Sequence, residues 1–289
     1  MEFVSLANFA KTRVPRHKIR IRDHHLGPES SRRQTKKKSR ERAGGERILG
    51  PMTLLLQFSS FLIAFSFPLT LFWFLVRKSS TLTVIAIISA LFSLLSINLI
   101  SSAWSLLPIR SWIFYTVVGA VTQELIRYVL VKLYRRVEQA VSSEVESWPE
   151  RAAELSLNDR SSSVAVGFGF GLFRTLILSG SVIAGSGGEA TLYMDNTCPH
   201  LPLVLVSAFF GLAFFTLDII FTMILFNAER KKNTLAIFFV LLLHSAAALA
   251  TTFGCLKSLP LVATAVTIAL LFSRRLLRAK DFDGEYNFR

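Results

Sequence analysis

Seven stretches of this chain are apolar for about the thickness of a bilayer, and that pattern limits the fold more than any other feature. A membrane span needs ~20 predominantly apolar residues. Within hydrocarbon every backbone amide and carbonyl must also be paired inside the protein, which leaves helices or a closed barrel. Stretches at about 53–76, 80–107, 111–134, 162–185, 202–227, 234–256 and 258–273 meet or approach the length of a spanning helix. The last is the shortest and begins beside Lys257 and Pro260. A hydrophobic content of 52%, with 25 Phe, excludes an ordinary water-soluble domain. The connections are short. The pattern therefore predicts an all-α polytopic membrane protein with seven transmembrane helices in one bundle.

The net charge of +14 is unevenly distributed. Residues 1–51 hold 14 Lys and Arg against 5 acidic residues, in runs such as HKIRIRDHH and SRRQTKKKSRER. Such a segment has too little apolar surface to fold alone. It reads as a basic disordered arm or as an extension upstream of a natural start at Met52. It lacks aromatic interleaving and any nucleic-acid motif, so the expected surface partner is the lipid bilayer and not nucleic acid. The division is then 1–51 as arm, 52–275 as the seven-helix domain and 276–289 as a tail. Among the short loops, Arg77-Lys78, Arg135-Arg136, Arg230-Lys231-Lys232 and Arg274-Arg275 fall on one side, whereas the other side carries only Arg110 and Lys257. Basic short loops mark the cytoplasm. This predicts a cytosolic C-terminus, although it places the basic arm on the opposite side.

Five ionisable residues interrupt the apolar runs: Glu124, Arg127, Arg174, Asp218 and His244. A charged residue in hydrocarbon costs about 2.5–3.5 kcal/mol on insertion scales, so it normally faces protein. Counted from one membrane face, all five lie roughly 7 to 12 residues deep, within roughly 8 Å of one another along the normal. Four helices contribute two carboxylates, two guanidiniums and an imidazole to one charge-balanced layer, with Gln123 beside it. Glu124 and Arg127, at i and i+3, share a helix face. Arg174 and Asp218 sit at matching depth on sequential antiparallel spans, which predicts an interhelical ion pair. Simpler readings stand beside these. Arg127 is close enough to the interface to snorkel, and a histidine in a span is more often a helix–helix hydrogen-bond partner than a catalyst or metal ligand.

The fourth span reads SSSVAVGFGFGLFRTLILSGS. Gly167 and Gly171 form G-x-x-x-G and Thr175 continues the same rhythm, with Gly169 and Gly180 adding further glycine. Stacked small residues let a neighbouring backbone approach closely, so this face predicts a close-packed interface, read here as one for a partner helix. Cys198 and Cys255 both fall on the non-cytosolic side, where two thiols either pair or stay free; sequence supplies no distance to decide. Walker, G-x-S-x-G and H-E-x-x-H motifs are missing, as is any Cys/His cluster with metal spacing. Ser245 adjoins His244, but sequence neighbours on a helix do not face one another. No catalytic residue, metal or cofactor is expected.

Three segments together are familiar. QELIRYVLVKLYRR in the third span, GFGFG in the fourth and LLLHSAAALATTF in the sixth resemble the APH (anterior pharynx defective) subunit of γ-secretase over about residues 52–275. The likeness includes Gln123-Glu124 followed by Arg127 and Lys132, and the basic turn AERKK after the fifth span. It implies a non-catalytic scaffold that binds nicastrin, packs against presenilin and is completed by the presenilin enhancer subunit. Such a complex cuts type I membrane proteins such as Notch in the endoplasmic reticulum, Golgi and plasma membrane. By position, Gly167 and Gly171 match the first two glycines of the family's assembly motif, whose third falls at Thr175. His244 matches the sixth-span histidine. The fifth-span histidine falls at Asp218 or next to it, and Arg174 replaces a small residue; the two departures compensate in charge. A transporter or channel-like protein with a polar intramembrane cavity is the second reading, and an intramembrane hydrolase built on Glu124 and His244 is the third.

Overall fold

The computed structural model describes residues 55–77, 79–106, 111–145, 159–185, 193–194 and 198–278. The basic segment 1–51 and the end of the tail lie outside the described residues. The described chain is mostly helical: α1 is Leu55–Val76, α2 Ser80–Leu106, α3 Trp112–Val145, α4 Asp159–Gly185, α5 Leu203–Arg230, α6 Thr234–Ala250 and α7 Gly254–Arg278. All but α6 are long and apolar enough to cross a bilayer. Between α4 and α5 the chain forms a small antiparallel hairpin of β1 (Tyr193–Met194) and β2 (Cys198–Pro202), an element the span pattern did not announce. Met194 pairs with Cys198 along the backbone; the side chains of Cys198 and Cys255 lie outside the described residues.

The layering follows from how apolar each helix is around its circumference. A helix that is hydrophobic all round seeks the interior, and α5 (LVLVSAFFGLAFFTLDIIFTMILFNAER) is such a helix. Buried residues make up 67% of the apolar window of α4 and 61% of that of α5, against 28–39% for the other spanning helices, so these two form the centre. They pack along each other. Helix α2 flanks α4, α3 pairs with α6, and α7 leans on α5 and α6. Phe214, Leu217, Phe221, Ile224 and Phe226 of α5 carry the main core, meeting Val131 of α3, Phe170 of α4, Val240 of α6 and Ala265 of α7. Outward faces such as Leu235, Phe238 and Leu242 of α6 are exposed.

Several boundaries differ from the span pattern for local reasons. The third helix, expected to end near 134, continues to Val145. RRVEQAVSSEV has no Gly or Pro, and Arg135 donates to Glu138 one turn on at 2.7 Å. The sixth, expected over 234–256, stops at Ala250. There the hydroxyls of Thr251 and Thr252 turn back onto the carbonyls of Ala248 and Leu249, and Gly254 adopts φ 28°, a conformation that suits glycine. The seventh consequently starts at Gly254 instead of 258 and encloses Pro260. At the other end of α6, the Asn233 side chain accepts from the Ala236 amide, capping a helix that follows the left-handed Lys232 (φ 51°). The last turn of α1, Phe72–Val76, is π-wound and closed by the Arg77 amide on the Phe72 carbonyl at 2.9 Å. It leaves Trp73, Phe74 and Leu75 exposed in succession while Val76 is buried.

Candidate functional site

The five ionisable residues of the apolar runs meet in the centre of the bundle. Glu124 and Arg127 come from α3, Arg174 from α4, Asp218 from α5 and His244 from α6, and none is more than 6% exposed. Arg127 donates from Nη1 to Glu124 Oε1 at 2.8 Å and from Nη2 to Asp218 Oδ1. Arg174 donates from Nη1 to Asp218 Oδ1 at 3.4 Å. Its Nη2 stands 3.0 Å from His244 Nε2, and His244 Nδ1 contacts Glu124 Oε1. The contacts close a ring: Glu124, Arg127, Asp218, Arg174, His244 and back to Glu124. Each carboxylate uses one oxygen for both of its bonds. Aromatic faces enclose the guanidiniums, with Arg127 5.1 Å from the Phe170 ring centroid and Arg174 5.3 Å from that of Phe214. Burying a charge is tolerable where it is paired and hydrogen-bonded.

This arrangement corrects one detail of the sequence reading and extends another. Arg127 is fully buried and does not snorkel. The expected ion pair between Arg174 and Asp218 is present at 3.4 Å. Arg127, which the sequence reading did not pair with Asp218, joins the same carboxylate oxygen and bridges both acids. Depth along the normal cannot reveal this, since it says nothing of the angle at which each side chain leaves its helix. Gln123 stands outside the ring, half-buried, and lines a cavity of about 30 Å³ with Ile97, Thr116, Gly119, His244 and Ala248. That cavity opens among α2, α3 and α6, in the half of the bundle away from the basic loops. Among the described residues no group of three or more His, Cys, Asp or Glu is placed to hold a metal ion. Ser245 donates its hydroxyl to the Leu241 carbonyl at 2.9 Å.

Gly167, Gly169 and Gly171 of α4 face α5 and α2 of the same chain, not a partner helix. A Cβ on Gly167 would come within 2.6 Å of Ile219 Cα, and one on Gly171 within 2.8 Å of the Phe215 ring and 3.1 Å of its Cα. Thr175 continues the seam by donating Oγ1 to the Gly211 carbonyl at 3.1 Å. On the other face, a Cβ on Gly169 would collide with the Ala86 carbonyl and the Ser89 hydroxyl of α2. Gly180 faces open space. Sequence reading missed the partners of this seam. Gly211 is a lone glycine in α5. The small buried residues Ala86, Ser89, Ser93 and Ser96 recur along α2 at alternating spacings of three and four, hidden among Leu and Ile.

A second polar cluster, also missed, ties α3, α4 and α5 together at the end bearing the basic loops. Arg135 of α3 grips Asp159 at the start of α4 through two parallel bonds of 2.8 Å, the fork geometry that makes Arg–carboxylate pairs strong. Arg230 of α5 adds a third at 2.9 Å. The Tyr134 hydroxyl donates to Ser162 Oγ at 2.8 Å. Both arginines belong to loop charges whose ordinary role is solvation, which is why sequence reading did not single them out.

A bundle with its polar residues turned inward, and with a glycine-lined helix at its centre, can be set beside known proteins. The sequence model of the family described as Aph-1 protein matches residues 55–279, all seven described helices. The Arabidopsis thaliana protein named gamma-secretase subunit APH1-like is 25% identical over 230 residues, covering 75% of this chain and 90% of that protein. The Drosophila melanogaster protein named gamma-secretase subunit Aph-1 is 29% identical over 195 residues, covering 67% of this chain and 79% of that protein. At these identities the match rests on the helical bundle as a whole and describes a divergent member. The chain belongs to the Aph-1 family and is an integral membrane protein.

Proposed function

We propose that this chain is a non-catalytic scaffold subunit of a γ-secretase complex. It holds presenilin and nicastrin together with the presenilin enhancer subunit, and so supports intramembrane cleavage of type I membrane proteins such as Notch. In this reading it resides in the endoplasmic reticulum, Golgi and plasma membrane with a cytosolic C-terminus. Its family membership carries the proposal, since both relatives described above are named as subunits of that protease. The site chemistry supports it. Each of the five buried ionisable residues is bonded to another of the five, and the nearest hydroxyl in sequence, that of Ser245, is bonded to backbone. Among the described residues, the ring nitrogens of His244 are both engaged by Arg174 and Glu124, which leaves neither free to act as base for a nucleophile. The cavity beside Gln123 is small, about 30 Å³, and gives a transporter reading little support.

The test is affinity purification of the tagged chain from gently solubilised membranes. Presenilin and nicastrin are expected to copurify in comparable amounts. Recovery of the chain alone overturns the proposal. So does cleavage of a membrane peptide by the chain without presenilin, if His244→Ala abolishes it.

A further inference from the structure

We infer that Arg174 fixes His244 as the neutral Nδ1–H tautomer, so that the ring of five side chains closes with every bond properly directed. The argument rests on which atoms can donate. An arginine only donates and an ionised carboxylate only accepts. In the ring, Arg127 gives to Glu124 and to Asp218, and Arg174 gives to Asp218. Around a ring with an odd number of members, pure donors and pure acceptors cannot alternate. One member has to donate on one side and accept on the other. Of the five side chains only the imidazole can do both.

The positions of its two nitrogens then fix the proton. Nε2 lies 3.0 Å from Arg174 Nη2, an atom with no lone pair to offer, so Nε2 is the acceptor. Nδ1 lies against Glu124 Oε1, so Nδ1 carries the proton and donates it. The alternatives each break a contact. The Nε2–H tautomer sets donor against donor at Arg174 and lone pair against carboxylate at Glu124. The imidazolium keeps the Glu124 bond but drives an N–H and a positive charge into the guanidinium. With a neutral imidazole, two carboxylates balance two guanidiniums, and a closed site with no net charge is the form that suits hydrocarbon surroundings.

Arg174 is thus a positioning residue acting through His244. It sets the tautomer and ring orientation, and it links α4 to α6 without any direct glycine contact between those helices. The inference concerns the interior of this chain and stands independently of which proteins assemble around it.

The experiment uses the full chain in lipid nanodiscs, labelled with ¹⁵N-histidine. His17, His24, His25 and His200 are replaced by Gln so that His244 alone reports. Two-bond ¹⁵N–¹H correlation is expected to show a protonated Nδ1 and a pyridine-type Nε2, the reverse of the tautomer that free imidazole side chains favour in water. Arg174→Lys, which keeps a donor, should retain the pattern, and Arg174→Met should move the Nε2 resonance. A protonated Nε2, or two protonated nitrogens, in the chain with Arg174 intact overturns the inference. An Nε2 resonance unmoved by Arg174→Met does so as well. The tautomer is decided on the Arg174 chain, so an Arg174→Met chain that fails to fold leaves the test in force.

Discussion

Asp218 accepts from two arginines through one oxygen, so the cost of deleting it depends on what is deleted with it. Asp218→Ala leaves two guanidiniums facing the single carboxylate of Glu124. Breaking a buried ionic group in this one-sided way costs about 3–5 kcal/mol, read as a lower thermal midpoint or a smaller folded fraction in detergent. Adding Arg174→Ala removes the surplus charge and leaves the balanced Glu124–Arg127 pair, so the double variant is expected to recover part of the loss. Equal losses in both would show that the ring does not behave as a charge-balanced unit. That these five residues belong together was legible because a charge stands out in an apolar run. Their bonding was not. Counting residues locates a side chain along the membrane normal only, so the pairing of Arg174 with Asp218 was readable from depth but the second bond from Arg127 was not.

Among the helices, the seam between α4 and α5 separates the glycines by what each one faces. Gly167→Ala places a methyl group against the Ile219 backbone, which cannot swing aside as a side chain tip can, and overpacking of this kind costs about 1–3 kcal/mol. Gly180→Ala meets open space, and its better helix propensity favours stability by up to about 1 kcal/mol. Thermal unfolding of the two variants should move in opposite directions; movement in the same direction would mean that α4 does not pack as described. The rhythm of Gly167, Gly171 and Thr175 was readable, but what it faced was not, because small residues advertise close approach without naming the partner. Helix ends were harder still. The stop of α6 at Ala250 depends on two threonine hydroxyls and the left-handed Gly254, against a sequence that stays apolar beyond it. The clasp of Arg135 and Arg230 on Asp159 was hidden because charges at helix ends are ordinarily solvated.

For the molecule as a whole, the membrane class followed from apolar length. Of the seven expected spans, six are long and apolar enough to cross a bilayer among the described residues, whereas the hairpin before α5 left no signal amid the polar loop that holds it. The basic short loops lead to the expectation of a cytosolic C-terminus. A protease-sensitive tag placed at the C-terminus is expected to be cut only after the plasma membrane is permeabilised, and cutting on intact cells would reverse the assignment. The short sixth helix has a consequence for the lipid as well. With 17 residues it measures ~25 Å along its axis, less than the roughly 30 Å hydrocarbon layer, and its outward face is exposed over Leu235, Phe238 and Leu242. Where a helix this short meets lipid, the bilayer thins locally, flanking polar side chains reach out to the interface, or a neighbouring molecule covers the short face. A thinner lipid annulus beside α6 is the expected outcome. Each ångström of such thinning costs a fraction of a kcal/mol, so the chain is expected to be more stable in thin bilayers than in thick ones.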